Sequence, residues 1–302
     1  MSTEVMVHER TAYSAGFEML AQQMEHKLRP YVRNESETGD RVNFPQIGPV
    51  GPRQKTERHG ETQYVTTPHK KRWVFPEAFE FADLVDLADV KRIVADPGGE
   101  YSRNFIASIN RDRDRQILAN AIGTAYIGVN GTTSQAMTAA NQLGAAGTGM
   151  TLAKVKNALK RLKAGNGVDG TEECVIAWTS FQENEFLDAT EVKSHDYNTQ
   201  RVLIDGGMGD GKFIGFRYVR LEDWVDEGGT TRRIVPYTSG TTTRSCVAWV
   251  KSGLLHNTWT APMTKVDQLP GRNYSWQHWV HAQYGTTRMQ EAKVVQIDCI
   301  EA

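Results

Sequence analysis

Apolar and polar positions along the chain mark out a series of elements. Residues 11 to 31 place Tyr13, Phe17, Leu20, Met24 and Leu28 on one stripe at helical spacing, and Pro30 closes it. No adjacent segment offers a second layer for that stripe. The spacing therefore predicts a helix whose apolar face, Phe17, Leu20 and Met24, covers another part of the chain or a second copy. Residues 32 to 40 are a polar connector. From 41 to 47 the pattern switches to alternation, with Val42 and Phe44 on one face, and GPVGP (48 to 52) breaks it. Between Arg53 and Lys70 only Tyr64 and Val65 are apolar. Trp73, Phe75, Phe79 and Phe81 then alternate again around Pro76. Two strands thus flank a polar excursion of about twenty residues, longer than an ordinary hairpin loop. Such a ribbon cannot build a core of its own.

Residues 97 to 126 hold the longest helical signal. Asp96, Pro97 and Glu100 suit a first turn, Tyr101, Phe105, Ile109, Ile117, Ala121 and Ile122 recur at helical spacing, and Gly123 marks the stop. A charge run, Arg111, Asp112, Arg113, Asp114 and Arg115, divides the two apolar halves and points all round the axis. It reads either as a solvated helix with weak local ion pairs or as a rod lying against neighbouring molecules, its apolar ends packed in its own domain. Before this helix, 83 to 94 (DLVDLADVKRIV) has the spacing of a short helix.

After the rod, residues 123 to 150 are rich in Gly, Ala and Thr and read as a loop into a second domain. A helix is expected over 151 to 163, with Leu152, Val155, Leu159 and Leu162 inward and its lysines outward. CVIAWT (174 to 179) is a buried strand, 181 to 190 a short helix, and 212 to 221 a further strand. Residues 222 to 243 form a polar excursion. Strands follow at 245 to 250, 253 to 258, 274 to 284 and 292 to 300, the last two joined by GTTRMQE. A chain of 302 residues with this order is α+β, with room for two domains or one domain with a large insertion.

Charge sharpens one segment only. The whole chain balances 35 basic against 36 acidic residues, without the positive excess that tight duplex binding needs. Residues 51 to 72, however, carry Arg53, Lys55, Arg58, Lys70, Lys71 and Arg72 against Glu57 and Glu61, a net charge of plus four. They read as a solvated loop or as an arm that reaches an acidic surface on a partner. Cys174, Cys246 and Cys299 are odd in number and widely spaced, which suits reduced, buried thiols. Neither a signal-peptide pattern nor a membrane-length apolar run occurs, so a soluble cytoplasmic product with no membrane partner is expected.

Candidate chemistry fails on inspection. GGMGDGKF (206 to 213) nearly matches a phosphate-binding loop, but Phe213 stands where Ser or Thr must hold magnesium, and the segment leads into a strand. His278 and His281 are three apart, on opposite faces of a strand, and with His256 they read as polar positions in a Trp-rich sheet rather than metal ligands. No Ser–His–Asp set, zinc-protease motif or paired acid and base stands out. No catalytic, cofactor or metal residue is assigned, and a structural protein is expected.

The order of elements, with RHGET (58 to 62), TPHKKRWV (67 to 74), SHDY (194 to 197), GKFIGF (211 to 216) and YGTTRMQEAKVVQIDC (284 to 299), resembles the major capsid proteins of tailed bacteriophages. These have the Hong Kong 97-type fold, and the likeness is to the short-tailed phage family. The resemblance implies an N-terminal arm over 1 to 40, an extended β-loop over 41 to 76, and a peripheral domain with a long spine helix over 77 to 125 and 272 to 302. Residues 126 to 271 would be an inserted axial domain, and the last thirty residues would complete the peripheral sheet. It further implies pentamers and hexamers in an icosahedral shell around double-stranded DNA, bound without sequence preference. A portal protein, a separate scaffolding protein (only about forty residues precede the loop) and a decoration protein would be partners. Such a shell is assembled in a bacterial host cytoplasm and resides in the virion. On this reading Phe17, Leu20, Met24, Arg53, Lys55, Arg58, Lys70, Lys71, Arg72, Arg111, Arg113 and Arg115 are candidate intersubunit contacts.

Two other readings remain. A cellular nanocompartment shell shares the fold and encloses enzymes, although such relatives usually lack a long N-terminal arm helix. A nucleotide-binding enzyme would use GGMGDGK.

Overall fold

The computed structural model describes residues 21–62, 64–85, 98–168, 172–188, 212–226 and 228–301, with the side chains of 98–100 left aside. The part of the expected N-terminal helix up to residue 20, Phe17 and Leu20 included, lies outside these residues. The part inside them is not an α-helix: residues 21–28 are irregular and Arg29–Tyr31 is a single 3-10 turn. The backbone N–H groups of Lys27 and Leu28 are donated to the Asp114 carboxylate, 3.1 and 2.9 Å away, and not to carbonyls one turn back. Leu28 and Val32 still enter the core, fully buried.

β1 (Arg33–Glu35) is followed by β2 (Val42–Ile47) and β3 (His69–Val74), which pair antiparallel from Val42↔Val74 to Ile47↔His69. Val42 and Phe44 face inward, as the alternation requires. β4 (Glu77–Val85) runs through the start of the helix expected at 83. Asp83, Leu84 and Val85 are instead cross-strand partners of His278, Gln277 and Trp276, and tertiary pairing overrides a weak local helical pattern. Residues 86–94 lie outside the described ones. The long helix α1 (Gly98–Ile122) ends where Gly123 donates its N–H to Ala119 O.

The segment read as a loop contains three short strands, β5 (Ala125–Ile127), β6 (Thr133–Gln135) and β7 (Gln142–Leu143). Its small residues carry no strong period of their own, and the partners β3 and β17 organise them. Helix α2 (Leu152–Ala164) is capped by the Thr151 hydroxyl and buries Val155, Ala158 and Leu162. One of its lysines is not outward: Lys154 Nζ donates to the carbonyls of Ala145, Thr148, Gly149 and Asp298. β8 (Cys174–Trp178) is wholly buried, and α3 (Ser180–Leu187) opens with a capping box between Thr179 and Gln182. The strand expected over 212 to 221 is a hairpin, β9 (Lys212–Phe213) and β10 (Phe216–Arg220). Ile214 and Gly215 turn the chain with positive φ of 50° and 76°.

The polar excursion contains β11 (Trp224–Val225), β12 (Thr231–Arg232) and β13 (Tyr237–Thr238). β14 (Thr243–Val250), β15 (Leu254–Leu269), β16 (Ser275–Arg288) and β17 (Val294–Ile300) complete the chain. β15 extends eleven residues past the expected end at Thr258 because its polar outer half is held by pairing with β16. The register shifts between Thr258 and Met263, around Pro262, which has no N–H to give.

Three main sheets result. One has the order β1-β15-β16-β4, and the N-terminal half of α1 packs across it through Phe105, Ile106 and Ile109 against Phe79, Val280, Ala282 and Tyr284. A mixed seven-stranded sheet, β7-β17-β14-β8-β10-β9 with β13 on β14, supports the main core. There Trp178, Phe186, Phe216 and Trp249 meet Ile117, Leu118 and Ala121 from the C-terminal half of α1. The third sheet is β2-β3-β5-β6. Both apolar ends of the rod are thus packed in the chain, each in a different layer. The two C-terminal strands do not share a sheet: β16 joins the first and β17 the second. β15 likewise stands with β1 and β16 and not with β14.

Candidate assembly interface

The β2–β3 ribbon opens into residues 48–68, tied at its base by a Gly48 N–H to Pro68 O bond of 2.9 Å. From Pro49 to Thr66 every described residue is exposed, Tyr64 to 94%. Arg53, Lys55, Arg58, Lys70 and Lys71 point into solvent, with no ion pair among the described residues. Arg72 behaves differently. It is buried, donating from Nε to Met289 O at 2.9 Å and pairing with Glu291 at 3.3 Å. A guanidinium taken out of water needs partners, and those of Arg72 among the described residues are in its own chain.

The charge run on α1 is likewise used within the chain. Asp114 is fully buried and accepts from Lys27 N, Leu28 N and Gln23 Nε2, the last at 2.5 Å, so it holds the arm segment against the helix. Arg111 is buried over the Trp224 ring, 4.4 Å from its centroid, and donates to Gln22 Oε1 and Gln23 O. Arg113 lies over Tyr284 at 4.9 Å, and the Tyr284 hydroxyl donates to Asp112. Arg115 is exposed and pairs with Asp112 on its own helix. Arg111 thus meets the arm and the 222–243 excursion of its own chain. Met24, on the arm, is exposed.

Burial sets the titration here. It pushes the Asp114 carboxyl up to about 7 against the lowering effect of the hydrogen bonds from Leu28, Lys27 and Gln23. His26, 3.4 Å from Asp114, and His256 are pushed down to about 3 by burial, with Arg113 adding to the effect in both. A depressed histidine contributes stability above its unfolded value of 6.5 that is lost as pH falls toward 3. A raised carboxyl does the opposite: its contribution, present below 3.8, is lost as pH rises through about 7. Two imidazoles outweigh one carboxyl between roughly pH 4 and 6, so this cluster lowers stability on acidification by about 1.4 kcal/mol per pH unit. Urea unfolding of the dissociated subunit across that range should show the acid loss, and His256→Gln should flatten it. An identical slope in that variant would refute the assignment.

Two residues carry structural roles that the sequence left unmarked. Arg288, fully buried on a strand, donates to Ala121 O and Gly123 O at the end of α1. Arg244 pairs with Asp223 and Glu301.

The candidate chemistry resolves as follows. Residues 206–211 lie outside the described ones, and Lys212 begins a strand, not a helix. His278 is buried beside Tyr101, whereas His281 stacks on Trp279. No group of metal-ligating side chains occurs among the described residues, and none of their helices is long and apolar enough to cross a membrane. The three cysteines are free and buried.

A rod helix bridging two layers, with a charged ribbon that its own chain leaves uncovered, defines a structural subunit built for association. The phage capsid protein family model matches residues 6–301, and the chain belongs to that family. It is a major capsid protein of the Hong Kong 97-type fold, which forms the shell of the phage particle. Solved structures sharing the fold include the capsid of cyanophage P-SCSP1u, with a TM-score of 0.71 and 12% identity over 100% of this chain and 96% of that one. The head of Helicobacter pylori bacteriophage KHP40 has a TM-score of 0.71 and 11% identity over 96% and 95%. Mycobacterium phage Che8 has 0.65 and 15% over 96% and 97%. A search among curated proteins finds no match.

Proposed function

We propose that the shell is built from pentamers and hexamers in which residues 48–68 of each subunit lie over an adjacent subunit, with Arg53, Lys55, Arg58, Lys70 and Lys71 close to carboxylates there. The observation that carries this is the exposure of every described residue from Pro49 to Thr66. A polar segment without apolar contacts does not hold one position unless a partner supplies the contacts. Obligate interfaces bury on the order of 2,000 Å² or more, and an overlapping ribbon adds such area without enlarging the core.

In this proposal the four-stranded sheet with the front of α1 is the peripheral domain, and the seven-stranded sheet with α2 and α3 is the axial domain. β15 and β17 exchange sides relative to the division at 271, following their pairing. Residues 1–40 act as the N-terminal arm, whose Phe17, Leu20 and Met24 contact a neighbour or the inner face, as does Arg115 on the rod's exposed side. The chain performs no catalysis, and assembly takes place in the host cytoplasm with a separate scaffolding protein, a portal and a decoration protein. Balanced charge suits enclosure of double-stranded DNA without sequence-specific grip.

The test is expression of the chain with and without scaffolding protein, followed by size separation and electron microscopy. Closed shells with ribbon density on the neighbouring subunit are expected. A small discrete oligomer, or ribbons folded back on their own subunit, would overturn the proposal.

A further inference from the structure

Where the arm segment, α1 and β15 meet, a cavity of about 560 Å³ opens to solvent, and His26, Arg29, Arg113 and His256 line it together with Thr258 and Glu35. Asn34, Ser36, Ala261 and Pro262 complete its lining. Arg113 stacks on Tyr284, which leaves its Nε and Nη2 buried with no hydrogen-bond partner among the described residues. His256 is 2% exposed. Its Nδ1 lies 2.9 Å from the Thr286 hydroxyl, while its Nε2 is also buried and unpartnered. In the tautomer in which Thr286 donates to Nδ1, the ring carries its proton on Nε2 and offers an N–H there. Arg29 is exposed at the mouth. The one carboxylate in the lining, Glu35, is already paired with Arg33 at 2.7 Å.

Buried guanidinium nitrogens without acceptors are costly, and the fork they form fits two oxygens of one oxyanion. Both imidazoles are neutral at neutral pH, held there by burial and by the nearby arginines, so the positive charge comes from Arg29 and Arg113. We propose that this cavity is an oxyanion site, which takes one carboxylate or phosphate group on the Arg113 fork and the His256 N–H, with Arg29 drawing it in. The inference is independent of where the 48–68 ribbon lies. The oxyanion comes either from free phosphate or from a carboxylate side chain of a second copy.

The experiment is thermal unfolding of the full chain, as separated subunits and as shells, in inorganic phosphate or acetate against chloride at equal ionic strength. Subunits should melt higher, and saturably so, in phosphate or acetate. Arg113→Gln should abolish the shift. Arg29→Gln, at an exposed position, should weaken the apparent affinity several-fold, and it decides the matter if Arg113→Gln does not fold. A shift in both subunits and shells identifies a free anion. A shift in subunits alone identifies a neighbour's carboxylate that already fills the site in the shell. No shift in subunits, or a shift that survives both substitutions, would overturn the site.

Discussion

Arg288→Ala is expected to lower the unfolding free energy of the subunit by about 3–5 kcal/mol, the cost of breaking a buried charged network from one side. Arg288 is fully buried. Its Nη1 satisfies the carbonyls of Ala121 and Gly123, at 2.7 and 2.8 Å, where α1 has run out of N–H donors of its own. Its Nε bonds Glu291 Oε1 at 2.9 Å, the same oxygen that Arg72 reaches from the base of the ribbon. One side chain therefore joins the end of the rod, the β16–β17 connection and the foot of the extended loop. Alanine would orphan two helix carbonyls, leave Glu291 with Arg72 alone and open a cavity. Arg288→Lys keeps the charge but cannot fork to the same acceptors and should recover only part of the loss. Urea unfolding of the separated subunits measures both variants, and a loss under about 1 kcal/mol for alanine would show that water replaces the guanidinium.

Arg53→Glu, Lys55→Glu and Arg58→Glu together should have the contrasting effect. All three cations are exposed and unpaired among the described residues, so reversing them should leave the subunit's unfolding curve where it was. Closed shells should nevertheless be lost or misshapen, because charges at a rim govern approach and register more than the affinity of a formed contact. Raising salt should weaken assembly of the unmodified chain in the same direction, since exposed pairs are screened. Normal particles of normal stability from the triple variant would show that the ribbon is a solvated loop.

How much of this was legible in the sequence depended on the range of the forces involved. The rod, its stop at Gly123, helix α2 with Thr151 before it, and the buried strand CVIAW were readable because period and caps are local. The length of β15 and the strand at 83–85 were not, because each is imposed by a partner strand far along the chain, β16 in both cases. The charge run was seen, but its use was not. Asp114 is spent on the backbone of residues 27 and 28, and no local pattern announces that contact. In the candidate interface, the exposed cations of residues 53–71 were identifiable by composition. Arg72 was grouped with them because its burial follows from Glu291, more than two hundred residues away.

The position of the last two strands affects how the protein is made. β16 sits between β15 and β4, and β17 between β14 and β7, so both are interior members of their sheets. As the ribosome delivers the chain, β4, β15, β14 and β7 all emerge before β16 and β17, which complete their sheets. Neither sheet closes, and the Arg288 link at the end of α1 does not form, until residues 275–300 have left the exit tunnel. Until then the nascent chain has open strand edges, a hazard on polysomes where many copies lie close together. A subunit with both sheets closed is therefore expected only once translation has passed β17.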